Sequence, residues 1–345
     1  MADPTFSSIA RSLTVLLTDN ALTEYEPFRN GLGLNNLLYV SMLIESFERR
    51  IAAGKTAGQL LLIEEPEAHL HPQLQRVLFD VLRNKTFQTI LSTHSTHISS
   101  LAEMKSIVLL TNSGQPKTDT TTPGTNASLS ENEISDLERY LDATRSTMLY
   151  ARKVILVEGP AELFVIPPLV KAVLGIDLDR YGVSVVPIHG IHFAAYAKLF
   201  SSMGMPKKCA IIADGDCAPE GGDETEDNLD KGADLQKLAN EYVGVFQCQT
   251  TFERAITQPG LLSPLAKAAT ELNLQKLNAL LGKKIKERKE TGKIPPLEDA
   301  RELVLKSAKR VGKGRFAQVL SKHVTKATSI PEYIKNAIDW LELTK

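Results

Sequence analysis

Residues 153–162, Lys-Val-Ile-Leu-Val-Glu-Gly-Pro-Ala-Glu, constrain this chain more than any other stretch. Val154 to Val157 is a short, apolar, largely β-branched run, the pattern of a strand buried in a parallel sheet. Gly159 permits a tight turn and Pro160 suits the first position of a helix, so the strand gives way to a helix at once. Glu158 therefore falls at the carboxyl end of a strand, where open α/β sheets carry their sites. Glu162 follows in the first turn of the helix. At about 1.5 Å rise per residue, the two carboxylates can face one spot.

A second strand ends the same way. Cys209 to Ala213 runs into Asp214-Gly215-Asp216. In a parallel sheet, carboxylates that end two strands point into one crevice. Four acids gathered without a cation would repel one another strongly. Hard oxygen ligands of this kind suit Mg²⁺ or Mn²⁺.

A glutamate at one strand end with Asp-x-Asp at a later one resembles the Toprim domain of topoisomerases, primases and certain nucleases. The form Val-Glu-Gly-Pro-Ala-Glu, with what precedes it, resembles the OLD (overcoming lysogenization defect) nucleases, which join an ABC-type ATPase to a C-terminal Toprim domain. The resemblance covers most of residues 30–320. It implies a two-metal site with Glu158, Glu162, Asp214 and Asp216 as ligands. Many topoisomerases and primases carry a third aspartate in this motif, whereas Ala218 stands here. The shell must then be completed elsewhere, by Glu162 and by Glu253. Glu253 follows the predicted strand Val243 to Cys248 and matches a glutamate that OLD-type enzymes keep at a late strand end. Lys313, in Gly312-Lys313-Gly314, resembles the lysine those enzymes use beside the metals. In that role it would neutralise charge in the transition state.

The amino-terminal part carries a second pattern. Leu60 to Glu65 reads as a buried strand ending in two acids, followed by Pro66-Glu67-Ala68-His69-Leu70-His71-Pro72 and a helix from Gln73. A strand from Phe87 to Leu91 leads into Ser92-Thr93-His94-Ser95. This resembles the Walker B, D-loop and switch-histidine region of ABC-type ATPases. By that resemblance Glu64 would hold the nucleotide's Mg²⁺, Glu65 would polarise the attacking water and His94 would contact the γ-phosphate. His69 and His71 with Glu67 read as a turn of that family, without an ion. Gly54-Lys55-Thr56 imitates a phosphate loop, but position 49 is Arg, the preceding segment is helical and a strand follows, so it is not one. No other P-loop pattern occurs. ATP is thus expected to bind only if the missing half of the ATPase is supplied, and the chain reads as a fragment or one piece of a split protein.

The expected fold class is α/β: a partial ABC-type ATPase sheet, then a Toprim (Rossmann-like) domain with a mainly parallel sheet and a helical, basic C-terminal part. The expected bounds are 1–115 for the ATPase half, 116–150 for a linker and connecting helix, and 151–345 for the Toprim domain. The 345 residues are 43% hydrophobic and 23% charged, and no apolar run is long enough to span a membrane. The start lacks a secretory pattern, and three cysteines give no pairing framework, so a cytoplasmic setting is expected.

The net charge of −1 hides a marked asymmetry. Residues 214–234 hold nine acids and one base, whereas residues 283–315 hold twelve bases and five acids. The acidic loop does not fit a calcium-binding spacing and reads as solvated. The basic segment suits sequence-independent DNA binding, or else is a solvated helix face. The expected activity is Mg²⁺- or Mn²⁺-dependent endonucleolytic cutting or nicking of DNA. The alternative is a non-catalytic DNA-binding Toprim protein of the recombination-mediator type. A homodimer is left open, and phage defence or DNA repair follows from the resemblance alone.

Overall fold

The computed structural model describes residues 16–18, 24, 26–55, 59–112, 118–126, 128–189, 193–215 and 234–344. Asp216 and almost all of the acidic loop lie outside the described residues. The chain divides into two compact units, 1–101 and 102–345. Only the longer helices are numbered below.

In the first unit, α1 (Leu32–Ala52) precedes β1 (Leu60–Glu64), α2 (Pro72–Arg83) and β2 (Gln88–Ser92). The two strands pair in parallel, from Leu60 opposite Gln88 to Glu64 opposite Ser92. Val40, Ile44, Leu61, Leu70, Leu78, Leu82 and Phe87 form the core, with Phe47 edge-on to Phe87. Gly33 lets the start of α1 approach the backbone at His69; a Cβ there would lie 2.3 Å from that carbonyl oxygen. Gly54, at φ +65°, ends α1 with its N–H on Ile51 O. It closes a helix where a phosphate loop would open one.

The second unit is built on four parallel strands: β5 (Lys153–Val157), β6 (Val183–Pro187), β7 (Cys209–Ala213) and β8 (Val243–Gln247), in the order β6-β5-β7-β8. The period of two along each strand sends alternate residues to two separate cores. Ile155, Val157, Ala210 and Ile212 face α4 (Pro160–Leu174) and a layer of C-terminal helices. Val154, Leu156, Cys209, Ile211 and Ala213 face the other side, against α3 (Glu131–Tyr140) and α5 (Phe193–Lys198). The C-terminal helices are α6 (Leu262–Glu271), α7 (Gln275–Thr291), α8 (Glu298–Val311), α9 (Lys313–Ser321) and α10 (Glu332–Trp340).

The segment expected to be a linker is ordered where it is described. β3 (Leu109–Asn112) pairs antiparallel with β4 (Thr118–Thr121). Ser130 and Glu133 form a capping box at the start of α3. Met104, Ile134, Leu137, Leu141 and Met148 are buried in the same core as β5 and β7. Apolar packing thus ties residues from 102 onward to the second unit. Arg145 is buried and donates to Pro187 O, Tyr140 O and Asp142, a clamp within this unit. Among the described residues no helix is long and apolar enough to cross a membrane.

Candidate functional site

β5 and β7 are neighbours, while β5 and β6 extend the sheet the other way, so the chain order reverses beside β5. Open α/β sheets place their crevice at such a point. Glu158 ends β5 and Asp214 ends β7. Their contact is direct: Glu158 Oε1 accepts from the Asp214 backbone N–H at 2.6 Å. Pro160 opens α4, and Glu162 caps it by accepting from Gly159 N–H at 3.1 Å. The beginning of α4 is therefore fixed against the end of β5. Gly215 brings the end of β7 against β8: a Cβ there would meet Cys248 O at 2.1 Å. Beyond β8, Phe252–Ala255 is a single helical turn. Its first N–H, on Phe252, donates to Asp214 Oδ1 at 2.7 Å, and Glu253 is the next residue.

Glu253 is only 2% exposed, and among the described residues neither of its carboxylate oxygens has a hydrogen-bond donor. Lys313 Nζ lies 3.1 Å from Glu253 Oε2, an ion pair without hydrogen-bond alignment. Lys313 is the first residue of α9, not part of a loop ahead of it. Gly314 lets that helix end pack on Pro160, where a Cβ would meet Cγ at 3.3 Å.

The electrostatics tie these groups together. Burial, with added repulsion from Glu158 and Glu253, pushes the Glu162 carboxyl up to about 7. Burial is again the main cause for Asp214, pushed up to about 8, with Glu158, Glu162 and Glu253 adding to it and Lys313 opposing. Burial alone would lower the Lys313 ammonium, but Glu253, Asp214 and Glu162 outweigh it and hold it above its ordinary value. Five of the six residues expected here are thus gathered: Glu158, Glu162, Asp214, Glu253 and Lys313. The sixth, Asp216, lies outside the described residues.

The donor set is all oxygen, partly buried, short of hydrogen-bond donors and mutually repulsive, which fits a hard divalent cation. Among the described residues no three side chains already stand in a closed metal cage. The ammonium of Lys313 is the cation that balances Glu253. Two groups here escape a reading of sequence motifs. Cys248 is buried with Sγ 3.6 Å from Asp214 Oδ1. Tyr333, from α10, has its phenol held well above the ordinary value by burial, with Cys248, Asp214 and Glu162 adding to it. A lone cysteine after a strand and a tyrosine in a distant helix carry no local signal.

In the first unit, Glu64 ends β1 and Glu65 follows it, and His94 Nε2 lies 3.6 Å from Glu65 Oε1. Glu65 adopts φ +43°, a strained conformation for a non-glycine residue. Glu67 buttresses the neighbouring turn. It accepts from Thr93 Oγ1 at 2.6 Å and from His94 N–H at 2.8 Å, which fixes the turn carrying His94. His71 caps α2 through Nδ1.

Comparison with known proteins decides the family. The domain described as overcoming lysogenization defect protein-like TOPRIM matches residues 149–216, and an AAA ATPase domain matches 11–99. The C-terminal region of the Burkholderia pseudomallei OLD protein is 30% identical, covering 56% of this chain and 97% of that one, with a TM-score of 0.42. The chain belongs to the OLD family. Among OLD-related proteins, the Old nuclease of Escherichia phage P2 is 25% identical over 233 residues, 62% of this chain and 38% of that protein. Endonuclease GajA of Bacillus cereus (strain HuB5-5) is 24% identical, covering 99% of this chain and 57% of that protein. This OLD-family chain thus spans well under two thirds of the length of either relative.

Proposed function

We propose that this OLD-family chain hydrolyses phosphodiester bonds of DNA, cutting or nicking internally, with Mg²⁺ or Mn²⁺ as cofactor. The observation that carries the reading is the meeting of Glu158 and Asp214 at adjacent strand ends, with Glu162 and Glu253 close enough to perturb Asp214. Glu158, Glu162, Asp214, Asp216 and Glu253 would hold the cations, two being the number the donor set suggests. When bound, such ions supply Lewis acidity toward the phosphate and lower the pKa of water. The chain's own residues do the rest. The Phe252 and Asp214 N–H groups fix the carboxylates, and Lys313 stands ready to neutralise charge developing on the phosphate. The exposed bases of the 283–315 segment would grip the DNA backbone without reading sequence.

Glu64, Glu65 and His94 would serve nucleotide chemistry only with a P-loop supplied, so ATP turnover is not expected from these residues alone. Incubating supercoiled plasmid with the purified chain and Mn²⁺ tests the reading. Relaxed or linear product that disappears in Asp214→Ala is expected. Equal cutting by that variant would refute the assignment.

A further inference from the structure

The carboxylate of Asp214 has a support just beyond the end of β8. Its Oδ1 accepts from Phe252 N–H at 2.7 Å and lies 3.6 Å from Cys248 Sγ, within reach of a thiol hydrogen bond. Among the described residues, Oδ2 has no hydrogen-bond donor. Cys248 is buried and its own N–H donates to Ala213 O at 3.2 Å, so its place between the ends of β7 and β8 is fixed. Thr250 O, 3.5 Å from Sγ, is the competing acceptor, but a carboxylate draws the proton more strongly than a neutral carbonyl. A thiol donates weakly and an ionised carboxylate only accepts, so the polarity of the contact is Cys248 S–H to Asp214 Oδ1.

We propose that Cys248 is a positioning residue of the nuclease site, which holds Asp214 so that Oδ2 is presented to the divalent cation. This rests on the reading of Asp214 as a metal ligand. Groups of this kind set ligand orientation, and their loss typically weakens metal affinity by about 10–100-fold.

The test uses the full chain as Cys248→Ala and Cys248→Ser. Mn²⁺ binding is followed by loss of the free-ion electron paramagnetic resonance signal, beside plasmid turnover and melting without metal. Cys248→Ala is expected to raise the Mn²⁺ concentration for half-saturation about tenfold and to lower kcat with KM for DNA unchanged. Cys248→Ser, which keeps a donor, is expected to restore most of both. Cys248→Ala with native Mn²⁺ binding and turnover would overturn the proposal, and so would Cys248→Ser as impaired as Cys248→Ala. Should Cys248→Ala fail to fold, Cys248→Val, which fills the space without a donor, takes its place, and native Mn²⁺ binding and turnover in it would overturn the proposal. If the unaltered chain neither binds Mn²⁺ nor cuts DNA, the fault lies with the nuclease reading, not with the role of Cys248.

Discussion

Strands β1 and β5 both run in parallel with a neighbour and both deliver a glutamate at the carboxyl end, yet they do so in unlike surroundings. After β1, the Glu65 side chain is 53% exposed and its neighbour His94 83%. After β5 and β7, the carboxylates are packed between α4, α9 and the 252–255 turn, and two are driven to about 7 and 8. The strands differ in the same way. In β1 and β2 only alternate residues are covered, and Leu60, Leu62 and Ile90 are exposed. In β5 and β7 both faces are buried. A strand-end acid thus becomes chemically unusual only where the sheet beneath it is covered on both faces, because that covering removes the water that would otherwise screen it. The first unit has the letters of a catalytic strand without the enclosure.

The sharpest way to break this contrast is to remove an acid from each side. Asp214→Ala should lower Mn²⁺-dependent plasmid cleavage by more than about a hundredfold, since a ligand should matter more than the groups that orient it. Glu65→Ala, assayed alike without nucleotide, should leave cleavage unchanged. Loss of cutting in Glu65→Ala would mean that the two units share their chemistry.

The same contrast can be put to the cores. Leu156 is fully buried in the second unit, and Leu156→Ala should destabilise it by about 2–5 kcal/mol in urea unfolding. Leu62 is 67% exposed, and Leu62→Ala should change stability by no more than about 0.5 kcal/mol. A large effect at Leu62 would show that this face is covered in solution.

Acidity offers a subtler probe. Glu162 and Asp214 have ordinary values of 4.5 and 3.8, and the fold raises them to about 7 and 8. Between those limits the folded state binds more protons than the unfolded chain, so stability falls as pH rises. Their contribution is complete below about pH 4 and is lost as pH rises through 7 to 8. In EDTA, Asp214→Asn should therefore flatten the decline of Tm between pH 5 and 8.5. Mn²⁺ should raise Tm of the unaltered chain more at pH 8.5 than at pH 5. A decline that Asp214→Asn leaves untouched would remove Asp214 as its source.

How much of this was legible depends on how local each signal is. The α/β character, the ends of β5 and β7 and the start of α4 follow from neighbours a few residues apart, a β-branched run, Gly159-Pro160 and Asp214-Gly215. Glu253 was legible because it follows a strand at short range. The division at 101 was not, since it depends on Met104 and Leu137 packing against strands far along the chain. Lys313 was legible as a residue type, but its place as the first residue of α9 depends on Gly314 meeting Pro160. Cys248 and Tyr333 became visible only when three separated segments were brought together.

The basic segment shows the limit of charge counting and supplies the smallest expected effect. Lys283, Lys284, Lys286, Arg288 and Lys289 look alike in sequence. In the fold Lys284 is buried and pairs with Asp299 at 2.9 Å, and Arg288 donates to Pro259 O at 2.7 Å. Those two brace α7 against its surroundings, while Lys283 and Lys289 remain exposed. An exposed lysine that contacts DNA contributes through counterion release, so its loss should weaken all sequences alike and reduce the salt slope by about 1. Lys289→Ala is therefore expected to lower DNA affinity at low salt with Tm unchanged. Lys284→Ala should lower Tm, because it leaves a cavity and an unpaired Asp299, and should leave the salt slope as it was. Reversal of the two outcomes in paired melting and salt-titration measurements would mean that the buried lysine, and not the exposed one, faces the nucleic acid.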